Sequence, residues 1–194
     1  MRNSIADDLH DDIGSTLSSI TIMSELAKVK SPEASTLLTS IGESTASMQE
    51  NMSDIVWAIN SANDGIENVV QRMKQFGVDI LDAKGIALEF ISDAAPSPRL
   101  TMKQRKNLYL FFKEVINNAA KHSQAKKVVV CISLKGHHIE VVIKDNGIGF
   151  DTHKTFDGNG MGSLRRRVEE LNGVFKIESD ENDGTTVELK FKIA

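Results

Sequence analysis

The chain of 194 residues has one cysteine, Cys131. A lone cysteine excludes an intramolecular disulfide and suits a reducing compartment. Set between "VVV" and "IS", it reads as a buried strand residue. No run approaches the roughly 18 apolar residues of a membrane helix, and no secretory signal is read ahead of the first amphipathic stretch. A cytoplasmic location is therefore expected, with any membrane attachment supplied by a part absent from this chain. Positive charge is also missing: the net charge is -4, which speaks against a nucleic-acid backbone as partner. There is no internal repeat and no low-complexity segment. No second His or Cys stands at helical spacing from His10, which argues against a metal site there.

What is present is ordinary for a globular protein: 40% hydrophobic and 26% charged residues, in a length that suits one domain plus a smaller element, or two small domains. Two local basic clusters, "SLRRRVEEL" and "AAKHSQAKKV", could serve a small anion such as a nucleotide phosphate.

The first third is helical by period. Ile5, Leu9, Ile13, Leu17, Ile20, Met23 and Ala27 recur at spacings of three and four. "KSPE" interrupts them, with Ser31 as a cap, Pro32 at the first helical position and Glu33 in the first turn. A second series then runs Ala34, Leu38, Ile41, Thr45, Met48, Met52, Ile55, Ile59, the heptad pattern of a helix that packs in a bundle. Two such helices joined by a short turn make an antiparallel hairpin, and a lone hairpin cannot bury both stripes. Pairing with a second copy into a four-helix bundle solves this, so a homodimer through the hairpin is expected.

"NSANDG", residues 60 to 65, is rich in turn formers and marks the expected boundary between a helical unit, 1–63, and a second unit, 64–194, that opens with a connecting helix over 66–83. Beyond it the pattern mixes strands ("GIALEFIS", "KKVVVCISL", "HIEVVIKD", "VFKIES", "TTVELKFKI") with a long helix from Leu100 that starts on the capping box Thr101/Gln104, and a helix from about Ser163 to Leu171. This order predicts an α/β sandwich, a mixed and mostly antiparallel sheet with helices on one face.

Four short motifs stand out in the second unit. "EVINNAAKH" places Glu114, Asn118 and Lys121 on one helix face with His122 beside them. "KDNGIGFD" sets Asp145 at a strand end and follows it with Gly147 and Gly149. "DGNGMGS" leads through Gly160 and Gly162 into a helix, where free N–H groups and the dipole favour phosphate. "NDGTTVEL" opens a strand at Gly184. Singly each is weak; "GNGMG" follows a loop rather than a strand and so fails the context of a dinucleotide fingerprint.

Together, in this order, they resemble the ATP-binding domain of the GHKL superfamily, the Bergerat fold, over about residues 84 to 194. The resemblance implies ATP and Mg²⁺ as cofactors. It implies Asp145 accepting the adenine amino group, Gly147 and Gly149 turning the chain under the base, and Thr186 with Gly184 near the adenine. Asn118 would be the Mg²⁺ ligand and Glu114 would orient water or polarise the reaction. Lys121 and His122 would face the phosphates. Gly160 and Gly162 would shape the hinge of a short lid, Phe150 to Asn159.

The opening stretch "DDLHDDIGSTL" is similar to the phosphoacceptor motif of the two-component histidine kinases in which Asp follows His directly, with nitrate-sensor and membrane-fluidity-sensor types as relatives; "DIVWAIN" also resembles members. This implies autophosphorylation of His10 and transfer to an aspartate of a response-regulator receiver domain. Chemistry favours the neighbours: a carboxylate on one ring N–H fixes the tautomer and offsets the charge that develops on the imidazole, so His10 would be the nucleophile and Asp11 its orienting base. Asp7, Asp8 and Asp12 read as solvated surface. Where the subfamily carries a glutamine used in dephosphorylation, this chain has Ser15, and the expectation does not extend to a strong phosphatase activity. The rival readings are another GHKL ATPase, an anti-sigma-type serine kinase, and a degenerate dimeric scaffold. Arg165, Arg166 and Arg167 read equally as phosphate or domain contacts and as a solvated helix face; Trp57 reads as packing.

Overall fold

The structure is a computed structural model that describes residue 13 and residues 17–29, 35–93, 98–151, 160–181 and 183–193. His10, Asp11, Ser15, the Ser31–Glu33 turn and most of the expected lid lie outside the described residues. The chain divides into two compact units, 1–63 and 64–194.

In the first unit a helix over 17–29 (α1) precedes α2, Ser35–Ile59. Ser18 accepts a hydrogen bond from Gln49 at 3.2 Å, and Glu25 is the side chain nearest Gly42. As one helix advances the other retreats, so they are antiparallel. The side chains buried within the hairpin are mostly small or polar: Ser24, Thr45, Asp54 and Ala58, with Leu17. Several larger apolar residues stay exposed. Ile41, Met48 and Ile55, one heptad apart on α2, are 45%, 58% and 38% exposed, and Met23 and Leu26 on α1 are exposed too.

The second unit contains α3 (Ile66–Asp82), β1 (Ala87–Asp93), α4 (Met102–Asn118), β2 (Lys127–Lys135), β3 (His138–Asp145), α5 (Gly160–Glu170), β4 (Val174–Asp180) and β5 (Gly184–Lys192). The five strands form one sheet in the order β1-β2-β3-β5-β4. β1 and β2 are parallel, since α4 is the crossover between them, and the other pairs are antiparallel. Strand alternation sends Val128, Val130 and Ile132 of β2, Ile139, Val141 and Ile143 of β3, and Val187, Leu189 and Phe191 of β5 into the core. They meet Val69 and Met73 of α3, Leu108, Phe111, Phe112 and Ile116 of α4, and Leu164 and Val168 of α5. Edge-to-face pairs of Phe112 with Phe90 and of Phe111 with Phe175 seat α4 across the sheet. The α/β sandwich with helices on one face is what the pattern predicted. Cys131 differs: it lies between inward-facing Val130 and Ile132, so it points to the open face and is half-buried rather than buried.

Asn63 and Asp64 hydrogen-bond within different units. Asn63 stays with α2, its N–H on Asn60 O (3.1 Å) and its side chain on Trp57 O (2.9 Å). From Asp64 onward the partners lie just ahead of α4: Leu100 N donates to Asp64 O at 2.9 Å, Ile66 N to Pro98 O at 3.3 Å, and Gly65 bridges Arg99. Arg105, 1% exposed, locks this junction by pairing with Asp64 at 2.5 Å and donating to Leu100 O at 2.7 Å. Breaking a buried ion pair by removing one partner costs about 3–5 kcal/mol. Asp64 is 32% exposed and can rehydrate. Arg105→Ala is therefore expected to lower the unfolding free energy of the second unit by about 2–3 kcal/mol, read from urea denaturation.

Candidate functional site

The site is built around the C-terminal end of α4. The capping box forms as expected, with Gln104 N on Thr101 Oγ1 at 3.2 Å and Thr101 N on Gln104 Oε1 at 3.1 Å, and fixes where the helix starts. Glu114 is half-buried on α4 and Asn118, its last residue, is exposed. The α spacing that was to carry Lys121 onto the face of Asn118 stops there, because Ala119–Ser123 winds as a π-helical turn. Such turns re-aim side chains and recur at functional sites. Lys121 and His122 are exposed on it, and Ser123 is buried, its hydroxyl donating to Ala119 O at 2.6 Å.

Against this turn lies the segment after β3. Asp145, its last residue, is 6% exposed. Its Oδ1 accepts Gly147 N–H at 2.8 Å, and the carboxylate also accepts the backbone and hydroxyl of Thr185. Burial pushes the Asp145 carboxyl above the ordinary aspartate range, and these hydrogen bonds to the ionised form oppose that without cancelling it. Asn146 is structural: its Oδ1 accepts the N–H groups of Lys126 and Lys127 at 3.0 and 2.9 Å, which holds the start of β2.

The glycines are there for close approach. A Cβ on Gly147 would lie 2.1 Å from Ser123 O, and one on Gly184 (φ +78°) would lie 2.1 Å from Asp145 O. One on Gly149 (φ +62°) would lie 2.0 Å from Asp180 O. A Cβ on Gly160 would sit 2.7 Å from Glu114 Oε1 and 3.8 Å from Asn118 Nδ2, so the first residue of α5 is pressed against both. α5 therefore begins three residues before the expected Ser163. Gly162 has nothing within 4 Å of a Cβ and carries no such constraint.

Thr186 does not join the group. Its Cα partners are Lys144 and Glu178, on the open side of the sheet, because the inward positions of β5 are the odd ones. The hydroxyl on Asp145 belongs to its neighbour Thr185, which lies 3.0 Å from Ser179 Oγ; Ser179 in turn accepts Phe150 N–H at 2.9 Å. Thr185 and Ser179 were not singled out from the sequence, although strand alternation past Gly184 carried the signal for Thr185. The three arginines also separate: Arg165 and Arg166 are exposed, and Arg167 is half-buried. His137 and His138 stay with the β2–β3 hairpin.

The raised pKa of Asp145 fixes the sign of a pH effect. Folding disfavours its charge, a penalty fully present above the folded midpoint and relieved as pH falls toward 3.8, the ordinary aspartate value. Carbon-13 NMR titration of the Asp145 carboxyl is expected to show a midpoint above 3.8; one at or below it contradicts this account of the burial.

No group of three or more His, Cys, Asp and Glu residues able to hold a metal occurs among the described residues, and none of their helices is long and apolar enough to cross a membrane. An amide oxygen such as that of Asn118 suits Mg²⁺, which keeps several waters and binds through few protein ligands together with phosphates.

Residues 2–64 match the family model described as histidine kinase, and residues 103–194 the model described as histidine kinase-, DNA gyrase B- and HSP90-like ATPase. The nitrate/nitrite sensor protein NarQ of Escherichia coli (strain K12) is 27% identical over 100% of this chain and 35% of its own length. The sensor histidine kinase DesK of Bacillus subtilis (strain 168) is 28% identical over 97% of this chain and 50% of its own length. The chain thus spans a third to a half of the length of these relatives. In fold it is similar to the blue-light activated histidine kinase EL346 of Erythrobacter litoralis, with a TM-score of 0.66 at 15% identity over 97% of this chain and 60% of that one. Two kinase family models in sequence, on a helical hairpin and a mixed-sheet sandwich with an ATP-binding fold, make the chain a histidine kinase core of the HisKA_3 and HATPase_c type.

Proposed function

We propose that residues 64–194 bind ATP with Mg²⁺, that residues 1–63 dimerise and carry the phosphoacceptor His10, and that the phosphoryl group passes on to an aspartate of a response-regulator receiver domain. The single observation that carries this reading is the convergence, on the helix-covered side of the sheet, of the buried Asp145, the exposed end of α4 and the N-terminus of α5. A buried carboxylate suits a base amino group, and a helix N-terminus beside an exposed amide and the exposed Lys121 suits phosphates.

Asn118 would hold Mg²⁺, which would supply positive charge to offset that of the phosphates. Lys121 and His122 add neutralising charge or hydrogen bonds at the phosphates. One ring nitrogen of His10 attacks the γ-phosphorus as its bond to the bridging oxygen breaks and ADP leaves. Asp11 accepts the N–H of the other ring nitrogen and offsets the charge gained by the ring. Glu114, one turn before Asn118, accepts a hydrogen bond from water or from the acceptor imidazole at the reacting end.

The dimer rests on the uncovered Ile41, Met48 and Ile55 stripe, too regular and apolar to face water alone. A cytoplasmic location, with the stimulus and any membrane anchor supplied by another part of the protein, belongs to the same proposal.

Incubation with ATP labelled in the γ-phosphate is expected to give an acid-labile label on the wild type and on Ser15→Ala, and none on His10→Ala or Asn118→Ala. An acid-stable label indicates a serine kinase, and equal labelling of wild type and His10→Ala overturns the assignment.

A further inference from the structure

The winding of the chain changes after Asn118, and a single serine meets that change on several sides. Ala119–Ser123 is a π-helical turn at the end of α4. In such a turn each N–H bonds the carbonyl five residues back rather than four, so the backbone does not make the α-helical bond from Ser123 N–H to Ala119 O. The Ser123 hydroxyl supplies that four-residue link instead, donating to Ala119 O at 2.6 Å. Its oxygen then accepts Ala125 N–H at 3.0 Å, across Gln124, whose φ of 54° is left-handed and ends the turn. The hydroxyl thus ties the first residue of the turn to the chain beyond its last, with its proton and a lone pair both used.

The carbonyl of the same residue holds a second segment. Ser123 O accepts Ile148 N–H at 2.8 Å, and Gly147 is so close that a Cβ there would lie 2.1 Å from it. Gly147 N–H is in turn the donor on Asp145 Oδ1 at 2.8 Å. Ser123 is buried at 8% exposure, whereas Lys121 and His122 on the same turn are exposed. A serine that bonds the carbonyl four residues back commonly does no more than satisfy its own hydroxyl. Here the further bonds to Ala125 and Ile148 make it the point where the turn, its exit and the glycine segment meet.

We propose that Ser123 is a positioning residue for Lys121 and His122: its hydroxyl holds the π winding that sets the direction of those two side chains, while its carbonyl keeps the turn against the Gly147–Ile148 segment beside Asp145. This rests on the reading of Lys121 and His122 as groups that meet the phosphates. The alternative is a plain fastening of the helix end, in which loss of the hydroxyl loosens base and phosphate recognition alike.

Three measurements on the full chain test it. Without nucleotide, Ser123→Ala is expected to speed amide exchange at Ala125, which loses its acceptor, while Ile148 stays as slow as in the wild type. The same variant is expected to bind a non-hydrolysable ATP analogue with Mg²⁺ about tenfold more weakly, and to bind adenosine, which has no phosphates, as the wild type does. Added to Lys121→Ala/His122→Ala, Ser123→Ala weakens the analogue no further. Unchanged exchange at Ala125 overturns the proposal, as do equal losses for the analogue and adenosine, or additive losses in the combined variant. Wild-type affinity for the analogue in Ser123→Ala overturns it while leaving Lys121 and His122 at the phosphates. Wild-type affinity in Lys121→Ala/His122→Ala overturns that reading itself, and the proposal with it.

Discussion

The burial of one carboxylate organises the second unit. Asp145 ends β3 inside the protein, where an ionised acid is several kcal/mol out of favour unless hydrogen bonds meet it. Gly147 N–H and the backbone and hydroxyl of Thr185 meet it, and they reach it only because the chain has no side chains in the way at 147, 149 and 184. Ser123, Asp180 and Asp145 itself each present a carbonyl where a Cβ would have to be. The end of β3, the π-turn after α4 and the β4–β5 hairpin are thereby held at backbone-to-backbone distance. The network continues through Thr185 and Ser179 to Phe150.

α4 carries the consequences of that constraint to both ends of the unit. Its first turn is set by Thr101 and Gln104 and holds the entry of the chain through Arg105 and Asp64. Its middle seats on the sheet through Phe111 and Phe112, and against α5 through Asn107. Its end presents Glu114 and Asn118. One helix thus spans the distance between Asp64 and the residues at the candidate site.

The sandwich was legible because its signals are local: alternation in "HIEVVIKD", the heptads of α2, and the capping box each depend on neighbours in sequence. The glycine motifs were legible for the same reason, since the close approach they allow is demanded of the backbone itself. What escaped depended on contacts between distant segments or on small changes of winding. The π-turn shifts Lys121 by altering hydrogen-bond spacing, with no composition to announce it. Thr185 and Thr186 are chemically identical, and only the strand's facing distinguishes them. Arg105–Asp64 joins residues tens of positions apart, and within "RRR" nothing but packing marks the half-buried one. Gly162 looked equivalent to Gly160, yet only Gly160 has a carboxylate against it.

The proposed ATP site assigns recognition of the adenine base to Asp145. In Asp145→Asn the single amide oxygen is taken by Gly147 N–H, which turns an NH₂ group toward the donor that the carboxylate would have accepted. Calorimetric titration with non-hydrolysable ATP and GTP analogues tests this most directly. Wild type and His10→Ala are expected to bind the ATP analogue alike and reject the GTP analogue, and Asp145→Asn to lose the ATP analogue while keeping its fold. Undiminished binding of the ATP analogue by folded Asp145→Asn, or equal binding of the two analogues by the wild type, would contradict it.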